Sequence, residues 1–353
     1  MDRVGAQGMT GPGSDRRRRR SGWLARSVQA VVVLPFLAVL GMALWFQFSG
    51  PLRAVLLGGL AVVLLGLGGL WWRGQGQMVW LGSGAILIAA LAWWSAIRPG
   101  NDGVWQPDVA HGVTAEITGN RVTLHNVRNF SWVSDRDYVP PPVWETRSYD
   151  LDDLTGADLF TSVWGDPNIA HVMISFGFAD GRHVVFSAET RKRVGQVYSP
   201  FGGFFRLYTL VLIAADERDV IGWRTDARQN PPETVSIFPL ALDAAQRRAL
   251  FLQFLDMGND LAENPRFYNT ATANCTTVPW KLARMVDPRL PLDWRILLSA
   301  HLPDYLHGLG VIRPGTPLDQ VLAEARLRPF GPVSDDSISF SRRLRAGVPV
   351  AAP

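Results

Sequence analysis

The chain of 353 residues contains one cysteine, Cys275, in the run Tyr268-Asn269-Thr270-Ala271-Thr272-Ala273-Asn274-Cys275-Thr276-Thr277. Polar cap-forming residues precede a helical stretch there, which puts the thiol in a first helical turn. Such a thiol faces backbone N–H groups without helical partners and the positive end of the dipole, and both favour the thiolate. The same N–H groups are suited to holding an oxyanion. Pro279 removes an early helical hydrogen bond, and a helix starting only at Pro279 would weaken the effect. With one cysteine no internal disulfide forms, so the thiol is either a buried small hydrophobe or a reactive group.

A nucleophilic thiol needs a base and a group to orient that base. His171–Phe178 alternates, with Val172, Ile174, Phe176 and Phe178 on one face and His171, Met173, Ser175 and Gly177 on the other. His183–Glu189 alternates as well. Joining the two apolar sets on one face requires an odd loop, and Ala179-Asp180-Gly181 supplies three residues with glycine at the left-handed position. That register sets His171 directly across from Glu189, with Cβ atoms about 5 Å apart. A carboxylate so placed steadies an imidazolium. His183 falls beside Gly177, roughly 20 Å away along the ladder, and belongs to a different place. Taken alone, a His opposite a Glu on a sheet face is more often a surface pair or a hydrogen-bonded structural contact.

These residues need a scaffold that begins near Asn101. A glycine turn at Gly119-Asn120 separates strand patterns at Val113–Thr118 and Arg121–Asn126. Further strands are expected at Val143–Tyr149, Arg206–Ile213 and Thr234–Leu240, with Pro140-Pro141-Pro142 a stiff connector. Helices follow at Ala244–Leu261, capped by Asp243, at about Thr276–Val286, and at Pro317–Leu327, where Thr316 is the expected cap. The segment 331–353 reads as a disordered tail. Asp216, Glu217 and Asp219 read as a solvated loop rather than a metal cluster, because Arg218 lies among them. His301 and His307 have no sequence feature tying them to the thiol. No metal or cofactor is expected.

Before the scaffold comes a different kind of chain. After a basic tail (1–27), three apolar runs at about 28–48, 54–72 and 78–97 lack Asp, Glu, Lys and Arg. Each approaches the roughly 20 apolar residues needed to cross a bilayer. Trp71, Trp72, Trp93 and Trp94 sit near run ends, where interfacial aromatics belong. The arginines at 16–20 and Arg26 keep the N-terminus inside by the positive-inside bias, and three crossings then place residues 99–330 outside. The expected location is the inner membrane, multi-pass, with a periplasmic C-terminal domain. Beside a span, the arginine run is an anchor rather than a nucleic-acid arm, and it accounts for much of the net charge of +4. A signal peptide fits poorly, since the first apolar run is long and two more follow.

The segments His171–Phe178, Ser187-Ala188-Glu189-Thr190-Arg191, Asp216-Glu217-Arg218-Asp219, and Phe267-Tyr268-Asn269 with Asn274-Cys275-Thr276-Thr277 together resemble the Lnb N-terminal periplasmic domain family, over roughly Asn101 to Ile312. That family is named for a lipoprotein N-acyltransferase. The order of His on one strand, acid on the next and Cys at a helix start is similar to circularly permuted papain-like enzymes, including the lecithin retinol acyltransferase group. The resemblance implies an α+β papain-like domain after the three spans. It also implies Cys275 as nucleophile, His171 as base and Glu189 as third member. Asn274, Thr276 and Arg191 would then contact substrate; by their charge Arg191, Lys192 and Arg193 suit either phosphate headgroups or, equally, a solvated strand end. The expected activity is acyl transfer on membrane lipid or lipoprotein. Cysteine peptidase or amidase chemistry is the near alternative, and a non-catalytic envelope binding module the distant one. Oligomeric state is left open.

Overall fold

The structure is a computed structural model that describes residues 12–329 and 336–349, with side chains from Arg26 onward. The chain divides into two compact units, Met1–Arg98 and Pro99–Pro353.

The first unit is three helices, α1 (Pro12–Gln47), α2 (Gly50–Trp72) and α3 (Gly76–Ala96). All three are long and apolar enough to cross a membrane, over Arg26–Gln47, Gly50–Trp72 and Gly76–Ala96. Their outer faces carry Val55, Leu65, Trp72 and Leu81 fully in the open, a surface that suits lipid and not water. A small cluster of Val33, Leu37, Leu67 and Val79 is buried among them. The helix of the first span begins at Pro12, well before the apolar run, so the basic segment continues it rather than forming a separate tail. The side chains of the arginines at 16–20 lie outside the described residues.

The second unit is built on an eight-stranded sheet. Its strands are β1 (Thr114–Thr118), β2 (Arg121–Arg128), β3 (Trp144–Asp150), β4 (Leu154–Val163), β5 (Ala170–Phe178), β6 (His183–Arg191), β7 (Thr209–Ala215) and β8 (Thr234–Pro239). The order is β1-β2-β7-β6-β5-β4-β8, with β3 also paired to β2. All pairings are antiparallel except β2 with β7. The β5–β6 hairpin turns through Ala179, Asp180 and Gly181, where Gly181 has φ +85° and Phe178 and Arg182 close the loop through their backbones. Its register pairs Gly177 with His183 and Ile174 with Phe186, so continuing the count sets His171 against Glu189.

Helices cover both faces. One layer is α5 (Ala244–Glu263), α6 (Thr277–Val286) and α7 (Leu302–Gly308), whose Phe251, Phe254, Val278 and Leu302 pack on Val172, Ile174, Phe176 and Phe186. Asp243 caps α5 and forms a capping box with Gln246. α8 (Leu318–Ala325) lies by β8 with Val321 and Ala325 in the core of this first layer, and the opposite layer is α4 (Glu217–Gly222) and α9 (Ser337–Leu344). Val220, Ile221, Phe340 and Leu344 meet Met173, Val185 and Ile237 on this side.

Three expectations need correction. β4 was not anticipated, although it lies between β5 and β8 and completes the sheet. The tail beyond 330 is not wholly disordered, because Asp336 caps α9 and Phe340 is buried in the core. Residues 330–335 and 350–353 lie outside the described residues. Thr316 does not cap α8, which starts at Leu318 after Pro317; the Thr316 carbonyl accepts from His307 Nε2 instead.

Candidate active site

Because helices cover both faces of the sheet, every residue of β5 is buried, including His171 at its open end. Glu189 Oε1 lies 3.0 Å from His171 Nε2, and Ser187 Oγ lies 2.7 Å from the same nitrogen. Ser187 donates its own proton to Glu189 Oε1 at 2.8 Å. Nε2 thus faces two acceptors and must carry a proton, which leaves Nδ1 as the basic nitrogen of the neutral ring.

Cys275 approaches from the other layer. Asn274 Oδ1 accepts from the Thr276 and Thr277 amides at 2.9 and 2.8 Å, and the Asn274 carbonyl accepts from Val278. The helical turn is thereby started ahead of α6, and Pro279 sits within it, where a missing N–H costs little. The thiol stands at this turn against the β5 backbone, with Sγ 3.8 Å from the Ala170 carbonyl. His171 and the Val172 amide are near enough to act on its charge. Asn274 and Thr276 flank it, but Asn274 spends its side-chain oxygen on capping. Two of the amides expected to be open to an oxyanion are therefore occupied, and the Cys275 N–H is the helix-start donor that Asn274 does not engage.

Charge follows from this geometry. Burial would push the imidazole down, yet the Glu189 carboxylate outweighs it, Arg224 opposes and Cys275 assists, so His171 is raised to about 9. Burial would raise the Glu189 carboxyl, but His171 and Arg224 hold it well below the usual carboxylate range. Burial likewise disfavours the thiolate, and the neighbouring imidazolium with the Val172 amide more than offsets it, lowering the Cys275 thiol. The pair is poised as thiolate and imidazolium.

Arg224 is a site residue that sequence reasoning missed. It is buried, with Nη2 3.7 Å from Glu189 Oε1 and Nη1 3.6 Å from Glu233 Oε2. Arg228 and Ser162 also bind Glu233. The π-helical turn Trp223–Ala227 that follows α4 delivers it, and only the tertiary fold brings that turn to β6. The site opens on a cleft of about 620 Å³ walled by Trp164, Tyr198, Trp223, Arg228 and Tyr268.

The chain matches the family described as the Lnb N-terminal periplasmic domain over residues 141–300. That segment belongs to the Lnb N-terminal periplasmic domain family. It holds β4, the β5–β6 hairpin and Cys275, so His171, Glu189 and Cys275 all lie inside the matched region, while β1, β2, α8 and α9 lie outside it. Joined to helices able to cross a membrane, it makes the protein a membrane-tethered periplasmic domain. No curated protein and no solved structure matches the chain.

Several expected contacts are elsewhere. Arg191 does not face the thiol; its guanidinium binds the Val109 and Ala110 carbonyls and Asn101. Asp216, Glu217 and Asp219 are not a solvated loop, because all three are buried and paired to Arg147, Arg345 and Arg128. His183 lies beside Gly177 at the far end of the hairpin. Its ring, Asp158 and Glu217 bring donor atoms within 4.8 Å of one another, but the Arg345 guanidinium already binds both carboxylates. His301 binds Asn168 and Asp304.

Proposed function

We propose that the protein is a periplasm-facing thiol acyltransferase held at the inner membrane by three spans, with its N-terminus in the cytoplasm. The observation that carries this reading is that Cys275 and the buried His171 line one cleft, with His171 paired in turn to Glu189 3.0 Å away. The order of His, acid and helix-start Cys supports a circularly permuted papain-like arrangement.

In the first step the Cys275 thiolate attacks the carbonyl carbon of a lipid ester. The C–S bond forms, the C–O bond breaks, and the imidazolium proton passes to the leaving alkoxide to give an alcohol. The Cys275 amide is placed to donate to the oxyanion. In the second step an amine attacks the thioester, His171 accepts its proton, the C–N bond forms and the thiolate returns. Glu189, Ser187 and Arg224 position the ring. A lipid or lipoprotein donor is favoured because the tether keeps the domain near a bilayer.

Labelling of the purified protein by a thiol-directed, lipid-like probe across pH tests the reading. The wild type labels fast near neutral pH, Cys275→Ser abolishes labelling while the thermal transition stays in place, and His171→Ala slows it. Labelling at the rate of a free thiol, indifferent to His171, would overturn the triad and leave a binding module.

A further inference from the structure

A second cavity reaches Thr276, the residue that follows Cys275. It has a volume of about 140 Å³ and sits between the sheet and α5, α6 and α7. Val172 and Ile174 of β5 form its floor, and Phe254, Ala283 and Leu306 are among its walls. Thr276, next to Cys275 in the chain, lines both this cavity and the catalytic cleft. Its hydroxyl lies 3.9 Å from the Cys275 sulfur. At the other end the half-buried Gln246 and Asp287 form a polar rim.

Apolar walls of this kind favour hydrocarbon over water, and an enclosed apolar cavity of about 150 Å³ holds a six-carbon ring. We propose that it takes the acyl chain of the thioester formed on Cys275, entering past Thr276 and seating about six carbons. This rests on the acyl-transfer reading above and adds the substrate class that the site selects, a straight fatty acyl group over a short or polar one. The polar rim lets a longer chain emerge between Gln246 and Asp287.

The experiment follows acylation of the full chain in detergent by p-nitrophenyl acetate, butyrate, hexanoate and octanoate. In the wild type the rate rises by roughly threefold to fourfold per buried methylene up to hexanoate and then levels. Ala283→Leu fills the cavity and lowers the hexanoate-to-acetate ratio by on the order of tenfold. Leu290 is another wall residue, and Leu290→Ala enlarges the cavity and moves the levelling point to a longer ester, which keeps the test open if Ala283→Leu does not fold. A chain-length profile that is flat in the wild type, or the same in both variants, overturns the acyl site while Cys275 still reacts. A Cys275 that alkylates with iodoacetamide no faster than a free thiol overturns the acyl-transfer reading instead.

Discussion

The two ends of the β5–β6 hairpin carry the same chemistry and come to opposite ends. At one, His171 pairs with Glu189 and Ser187. At the other, His183 lies beside Glu217, which accepts from Ser175 at 2.6 Å. Imidazole, carboxylate and hydroxyl recur on the same face of the sheet. The difference is what closes each end. Arg345, arriving from the turn after α9, binds both Asp158 and Glu217, so both far carboxylates are held by a fixed cation and are structural. At the near end Arg224 stands farther from Glu189, the imidazole keeps its charge, and a thiol faces a cleft. A nucleophilic site therefore depends less on residue types than on whether a fixed cation has already taken the carboxylate.

The largest effect that sharpens this contrast is His171→Ala. It should slow acyl transfer by on the order of 10²–10⁴ and shift alkylation of Cys275 to alkaline pH, because burial without the imidazolium raises the thiol. Arg345→Ala should do the reverse. It leaves two carboxylates buried without their cation, a loss of about 3–5 kcal/mol seen as a fall in the thermal transition on the order of 10 °C. Labelling of Cys275 below the transition should persist. Loss of labelling with a stable fold would show that the far end is part of the site.

What the sequence made legible was local. The hairpin register followed from alternation and a three-residue loop, and it sufficed to pair His171 with Glu189 and to separate His183. The α5 cap followed from Asp243 and Gln246. The second helical layer did not emerge, because α4 is six residues long and opens with the charged run Glu217-Arg218-Asp219. Its acids are buried only because Arg128 and Arg345, 91 and 128 residues from their partners Asp219 and Glu217, reach them. Arg191 was misjudged for the same reason: its acceptors are carbonyls about 80 residues away. The helix-start thiol was legible, but its apposition to β5 was not, since no spacing in the chain encodes it.

Glu189→Gln keeps the shape of the near end and removes its charge. His171 is raised in the folded protein, so the stabilisation it contributes is complete below about pH 6.5 and is lost as pH rises through about 9. With a neutral amide in place of Glu189, the upper limb of the acyl-transfer profile should move down from about 9 toward the ordinary histidine value. Loss of the imidazolium should also raise the pH at which Cys275 alkylates. The active window then narrows from both sides, which a full pH profile of ester turnover and of alkylation measures. An unmoved upper limb would assign the raised imidazole to Cys275 rather than Glu189.

The smallest expected effect is that of His183→Gln. His183 Nδ1 lies 3.1 Å from the Gly181 carbonyl, and the ring packs against Gly177. Glutamine retains a donor, so the stability cost should be about 1 kcal/mol or less. Met173 and Val185, both buried, separate this ring from His171 on the shared face, and the two histidines are roughly 20 Å apart along the ladder. At that distance any coupling is carried through the sheet rather than by direct charge. The pH profile of acyl transfer in His183→Gln should therefore superimpose on that of the wild type. A shift of either limb would mean that the two ends titrate together, and the sealed cluster would then set the charge of the open one.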